Sequence, residues 1–150
     1  TILKQQQDLT HLSRVCPRYD EYIQKGGENM KQIPLREIAH SRSGEKGNNS
    51  NVSVIAYRQE DYPLLEKRVT VEAVRKLYGP ITKGRITRYL VPRIGGLNFV
   101  LEEVLEGGRS RTLAFEESGK ALSSLMLTMV IEVPDDFVER SVQVKQGVVA

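Results

Sequence analysis

At 150 residues, with 39% apolar and 27% charged side chains, the chain has the size and composition of one soluble domain with a core of its own. No apolar run approaches the roughly 20 residues of a membrane-spanning helix, and no charged-then-apolar leader opens the chain. The single Cys16 excludes an internal disulfide and a four-thiolate metal site. The two histidines, His11 and His40, have no second His or Cys nearby at ligand spacing. No metal and no cofactor is therefore expected, and residence in the cytoplasm is. The formal net charge of +3 is unevenly placed, with an excess of seven basic groups over residues 31–93 and of four acidic groups over 94–150. The basic residues are scattered, without a basic run or a stacking motif of the RRM or KH type, so solvated Lys and Arg are expected rather than a nucleic-acid or membrane partner.

In chain order, residues 1–29 are glutamine-rich and poor in apolar side chains, with a break at Pro17 and a glycine pair at Gly26 and Gly27. They read as a flexible or helical extension, with at most one short helix over residues 2–15. Met30 is an alternative start, since the preceding KGGEN is encodable by a purine-rich stretch of the kind found upstream of bacterial start codons. A translated leader and a genuine arm that packs on a neighbour are both consistent with the composition.

Residues 33–39 and 52–57 are short, apolar or β-branched and bounded by turn-rich sequence, so both read as strands. Asp61 followed by Tyr62 and Pro63 opens a short helix through Leu64, Leu65 and Arg68. Thr70 caps a second helix, in which Val71, Val74, Leu77 and Tyr78 share one face; Gly79 and Pro80 end it, the glycine in a left-handed conformation. Residues 84–92 are a third strand candidate, with Tyr89, Leu90 and Val91 its most buried part. Leu97, Val100, Leu101, Val104 and Leu105 form the cleanest helical stripe of the chain, closed by Gly107 and Gly108. Residues 111–115 read as a fourth strand. A third helix is marked by Leu122, Leu125, Met126 and Met129, although LTMVIEV also reads as a strand. The interleaved order points to an α+β, ferredoxin-like sandwich: one four-stranded sheet with helices packed on one face.

Between the first two strand candidates lies HSRSGEKGNNSN, residues 40–51, without an aliphatic residue or a Phe, Tyr or Trp. Gly44 and Gly47 permit backbone angles that let successive N–H groups converge. Ser41, Ser43, Asn48 and Asn51 supply short donors and acceptors, and Arg42 and Lys46 add positive charge. Together they describe an anion- or substrate-binding loop; the alternative is a plain exposed turn of ordinary turn residues. It is not a Walker A loop, since Lys46 lies between the glycines and no Ser or Thr follows it. His40 is a candidate proton carrier, with Glu45 the nearest acidic partner, and a Ser–His arrangement through Ser41 or Ser43 is open, although no G-x-S-x-G elbow supports it. Gly95 and Gly96, placed before the Leu97 stripe, offer free N–H groups at a helix start, and Asn98 adds a polar side chain there. The alternative for that pair is a tight corner.

The blocks AHSRSGEKGNNSNVSVIA, YPLL, VRKLYGPITKGRITRYLVP, GGLNFVLEEVLEGG and GKALSSLMLTMVIEVP resemble the AtuA-like ferredoxin-fold domain, best known as the C-terminal part of acyclic terpene utilisation proteins. The resemblance spans residues 33–135 and rests most on SGEKG (43–47) and GLNF (96–99). It places the domain at residues 30–135, with a tail over 136–150. It implies a ferredoxin-like fold and an association with bacterial catabolism of acyclic terpenes and related acids, through coenzyme A thioesters. Many relatives carry Asp where this chain has Glu45. The large domain that precedes this one in full-length relatives is absent from the sequence, so a separately encoded large subunit is the expected partner. The expected role is a small subunit or accessory domain binding a carboxylate or CoA-ester ligand, with homo-oligomers expected. The alternative is a non-catalytic interaction module.

Overall fold

The computed structural model describes residues 30–107, 120–135 and 137. The expected extension over 1–29 with its short helix, the strand over 111–115 and, apart from Phe137, the tail over 136–150 lie outside the described residues. The chain divides into two units, Ile33–Ile131 and a smaller one made of the segments on either side. Strands β1 (Met30–Pro34) and β6 (Val130–Pro134) form a two-stranded sheet. Val133 and Phe137 of the smaller unit are buried.

The polar stretch that reads as a loop is most of a β-hairpin. Strands β2 (Ala39–Lys46) and β3 (Asn49–Ala56) pair antiparallel from Ala39 opposite Ala56 to Lys46 opposite Asn49. Only Gly47 and Asn48 remain for the turn, and Gly47 has φ 66°, the glycine-first pattern of a tight hairpin turn. Gly44 needs no special backbone angle. The N–H groups of residues 40–46 therefore alternate along a strand and do not converge. The expected strand over 33–39 is split, because Pro34 ends β1 and a 3-10 turn over Leu35–Glu37 intervenes before β2.

Beyond β3 come helices α1 (Tyr62–Arg68) and α2 (Val71–Tyr78). Thr70 caps α2 as expected, its hydroxyl accepting the Ala73 N–H at 3.2 Å. Asp61 makes no side-chain cap on α1. Gly79 ends α2 with φ −47°, not left-handed; a Cβ there would lie 2.6 Å from the Arg75 carbonyl oxygen. Strands β4 (Ile86–Val91) and β5 (Gly96–Leu101) follow, then α3 (Leu122–Met126). The larger sheet runs β2-β3-β5-β4, every neighbour antiparallel.

The helix expected over residues 97–105 is strand β5. Its apolar residues satisfy both periods, but Phe99, which the helical stripe omits, is fully buried between Leu97 and Leu101, while Asn98 and Val100 are half-buried. Pairing on both sides, to β3 and to β4, decides the matter: a central strand is selected by its neighbours more than by local propensity. Tyr89, Leu90 and Val91 are not the buried part of β4; they are 53%, 47% and 37% exposed because β4 is an edge strand.

One face of the sheet is apolar and covered. Val52 and Val54 of β3 stand opposite Phe99 and Leu97 of β5, all nearly or fully buried. Two polar ties hold helices to this face. Arg88, opposite Phe99, donates from Nη1 to the Glu66 and Val69 carbonyls at the end of α1, and Ser43, opposite Val52, bonds the start of α3. Tyr78 of α2 donates its hydroxyl to the Leu122 carbonyl, joining two helices through a buried polar group.

Candidate functional site

Alternation along β2 sorts its side chains. Ser41, Ser43 and Glu45 face the helices, and His40, Arg42, Gly44 and Lys46 face the open side of the sheet. Both sets except His40 line one open cavity of about 670 Å³. A cavity that takes in both faces of an edge strand straddles that strand's outer edge, and β2 is such an edge. Asn51, Ser53 and Asn98 extend the lining across the open face, and Lys120 and Ser123 close it on the helix side.

The hydroxyls are mostly committed. Ser41 donates to the Ser53 carbonyl at 2.6 Å and Ser53 to the Arg42 carbonyl at 3.2 Å. Ser43 donates to the Lys120 carbonyl at 2.8 Å and accepts the Ser123 N–H at 2.9 Å. These bonds fix the wall and leave the charged side chains as its adaptable part. Lys46 Nζ donates to the Glu45 carbonyl at 2.9 Å, keeping the ammonium close to the backbone. Arg42 is exposed, and among the described residues its guanidinium meets no carboxylate. Beside Gly44 the position of a Cβ has nothing within 4 Å, so the wall between Arg42 and Lys46 is open. Three cations and one carboxylate line the cavity. That balance, with amide and hydroxyl groups between, suits a carboxylate or phosphate.

Of the residues expected to bind, Ser41, Arg42, Ser43, Gly44, Lys46, Asn51 and Asn98 line the cavity. Gly47 and Asn48 form the hairpin turn instead, and Asn48 Oδ1 accepts the Gly107 N–H at 2.6 Å. Gly95 and Gly96 open no helix. Gly95 has φ 64° and its N–H donates to the Pro92 carbonyl at 3.1 Å, while Gly96 starts β5. The corner reading of that pair holds, and the helix-end anion site is absent.

His40 is exposed outside the cavity, its ring 5.8 Å from that of Tyr57. Ser41, Ser43 and Glu45 face the other side of the sheet, so no Ser–His nucleophile pair and no His40–Glu45 pair is formed. Ser53, Lys120 and Ser123 complete the lining without having been expected. Ser53 was legible, as the polar residue alternating with Val52 and Val54. Lys120 and Ser123 meet Ser43 only through bonds spanning 77 and 80 residues, and no local pattern carries that.

The shifted groups lie in the helix layer. Burial pushes the phenols of Tyr62 and Tyr78 well above their ordinary range, and Glu66 adds to the rise at Tyr62. Among the described residues no three of His, Cys, Asp and Glu cluster to hold a metal ion, and no helix is long and apolar enough to cross a membrane.

Comparison with curated proteins and with solved structures returns no match. Residues 33–132 match the AtuA ferredoxin-like domain. That span contains the whole hairpin, both central strands and every residue that lines the cavity. The chain therefore belongs to the AtuA ferredoxin-like domain family.

Proposed function

We propose that this chain is a small subunit or accessory domain of a bacterial catabolic enzyme system acting on acidic or CoA-thioester substrates of the acyclic terpene type. In this reading the cavity on β2 holds the anionic group and a larger AtuA-type domain completes the active site. The observation that carries it is the meeting of Arg42, Lys46 and Lys120 in one open, hydroxyl- and amide-lined cavity. His40 shares the open face with Arg42 two residues further on, about 6.7 Å along the strand. A proton-carrier role for His40 therefore requires a ligand that runs from Arg42 along β2.

Thermal-shift measurements against CoA esters and dicarboxylates test the proposal. A ligand at a hundredfold excess over its dissociation constant adds about 2.7 kcal/mol of stability, and Lys46→Ala removes the shift while leaving assembly unchanged. Silence across the whole panel counts against it.

A second reading, a non-catalytic interaction module, is favoured by β4. Tyr89, Leu90 and Val91 are consecutive, point alternately to the two faces and are all exposed. Exposure of both sets leaves the edge itself uncovered, ready to pair with another strand. Under this reading Leu90→Lys disperses the assembly in sedimentation velocity, and no ligand of the panel raises the melting temperature.

A further inference from the structure

At the paired positions of the four strands, the open face of the sheet carries no carboxylate. β2 presents His40, Arg42, Gly44 and Lys46, and at the register positions facing the same way β3, β5 and β4 contribute only uncharged residues. One row crosses all four strands: Arg42 stands opposite Ser53, Ser53 opposite Asn98, and Asn98 opposite Tyr89. With neighbouring strands about 4.8 Å apart, the row is roughly 14 Å long. The cavity occupies it from Arg42 as far as Asn98. The next position is Tyr89, a residue that is 53% exposed. The row thus has a cation at one end, neutral hydrogen-bonding groups in the middle and a free aromatic ring at the other end.

A short dicarboxylate does not span this row and makes no use of an aromatic end. A nucleotide does both: its phosphates suit a guanidinium, its sugar hydroxyls suit serine and amide side chains, and its base has a π-face that stacks on any exposed ring. Resting on the reading of the cavity as an anion site, we propose that its ligand carries a nucleoside diphosphate. The nucleotide lies across the strands, its phosphates at Arg42 and Lys46, its ribose along Ser53 and Asn98, and its base stacked on Tyr89.

Isothermal titration of the full chain with ADP and with pyrophosphate tests this. ADP is expected to bind about tenfold more tightly than pyrophosphate. Tyr89→Ala abolishes that difference, Tyr89→Phe preserves it, and Arg42→Ala weakens both ligands. Far-UV circular dichroism and the melting temperature establish that each variant is folded. Equal affinity of the wild-type chain for the two ligands, or an ADP affinity unchanged by Tyr89→Ala, overturns the nucleotide assignment and leaves the anion site standing. Failure of both ligands to bind overturns the anion site as well. Tighter binding of a single-stranded oligonucleotide than of ADP overturns the assignment in favour of a nucleic-acid surface.

Discussion

The hydroxyl of Ser43 accepts the backbone N–H of Ser123 at 2.9 Å and donates to the carbonyl of Lys120 at 2.8 Å, tying the edge strand of the sheet to the start of α3. Ser43 is nearly buried, so water does not readily replace either bond. Ser43→Ala leaves the Ser123 N–H unmatched, while the Lys120 carbonyl keeps the Ser123 hydroxyl, at a cost of about 1–3 kcal/mol for the dry N–H. Urea denaturation is expected to show a loss of at least 1 kcal/mol. A loss below 0.5 kcal/mol shows that the tie is dispensable.

The two glycines of the hairpin are expected to respond oppositely to alanine. Gly47 holds φ 66°, so Gly47→Ala introduces left-handed strain and costs about 1 kcal/mol or more. Gly44 is extended with empty space beside it, and Gly44→Ala is expected to be neutral or slightly stabilising. Melting temperatures of the two variants measured together decide the matter.

Anion binding at the cavity depends on exposed charges, so salt is expected to weaken it. Raising ionic strength toward 1 M, where the screening length falls to about 3 Å, lowers the affinity for a dianion several-fold in the wild-type chain. Lys120→Ala lowers the affinity at low salt and flattens this dependence, because one of the three cations lining the cavity is gone. A salt-independent affinity contradicts the electrostatic account.

Buried phenols make the fold sensitive to alkali. The Tyr78 hydroxyl titrates well above its ordinary value near 10 because burial disfavours the phenolate. Above about pH 10 the unfolded chain releases this proton while the folded chain keeps it, so stability is complete below that pH and falls as pH rises. Tyr78→Phe is expected to lose about 1 kcal/mol at neutral pH, through loss of the buried bond to the Leu122 carbonyl, and to show a shallower alkaline decline. Tyr62 leaves part of the decline in place. Chemical denaturation from pH 8 to 11 measures both effects.

The legible parts of the fold were those whose cause is local. Thr70 and the Val74 and Tyr78 face mark α2 because a cap and a 3.6-residue stripe need no distant partner. The hairpin reads as a loop in the sequence because strand signals rest on apolar side chains. β2 faces helices with small serines and faces solvent with Arg and Lys, so backbone pairing to β3 holds it, not a hydrophobic face. β5 reads as a helix for the converse reason: with apolar residues at both helical and strand spacing, only its two neighbours select the strand. The four strands of the sheet are accordingly not the four that the pattern singled out, although the fold class stands. The site was legible where its residues lie close in sequence, from Ser41 to Asn51, and illegible where α3 supplies Lys120 and Ser123.

The alternation of β2 has an evolutionary corollary. A single codon lost or gained between Ala39 and Lys46 rotates every later side chain of the strand by half a turn, driving Arg42 or its successor beneath the helices and expelling Ser43 to solvent. Substitutions in this strand are tolerated one position at a time, but its length is not free to drift. Indels that arise here survive only as pairs, or at the turn where Gly47 and Asn48 reverse the chain.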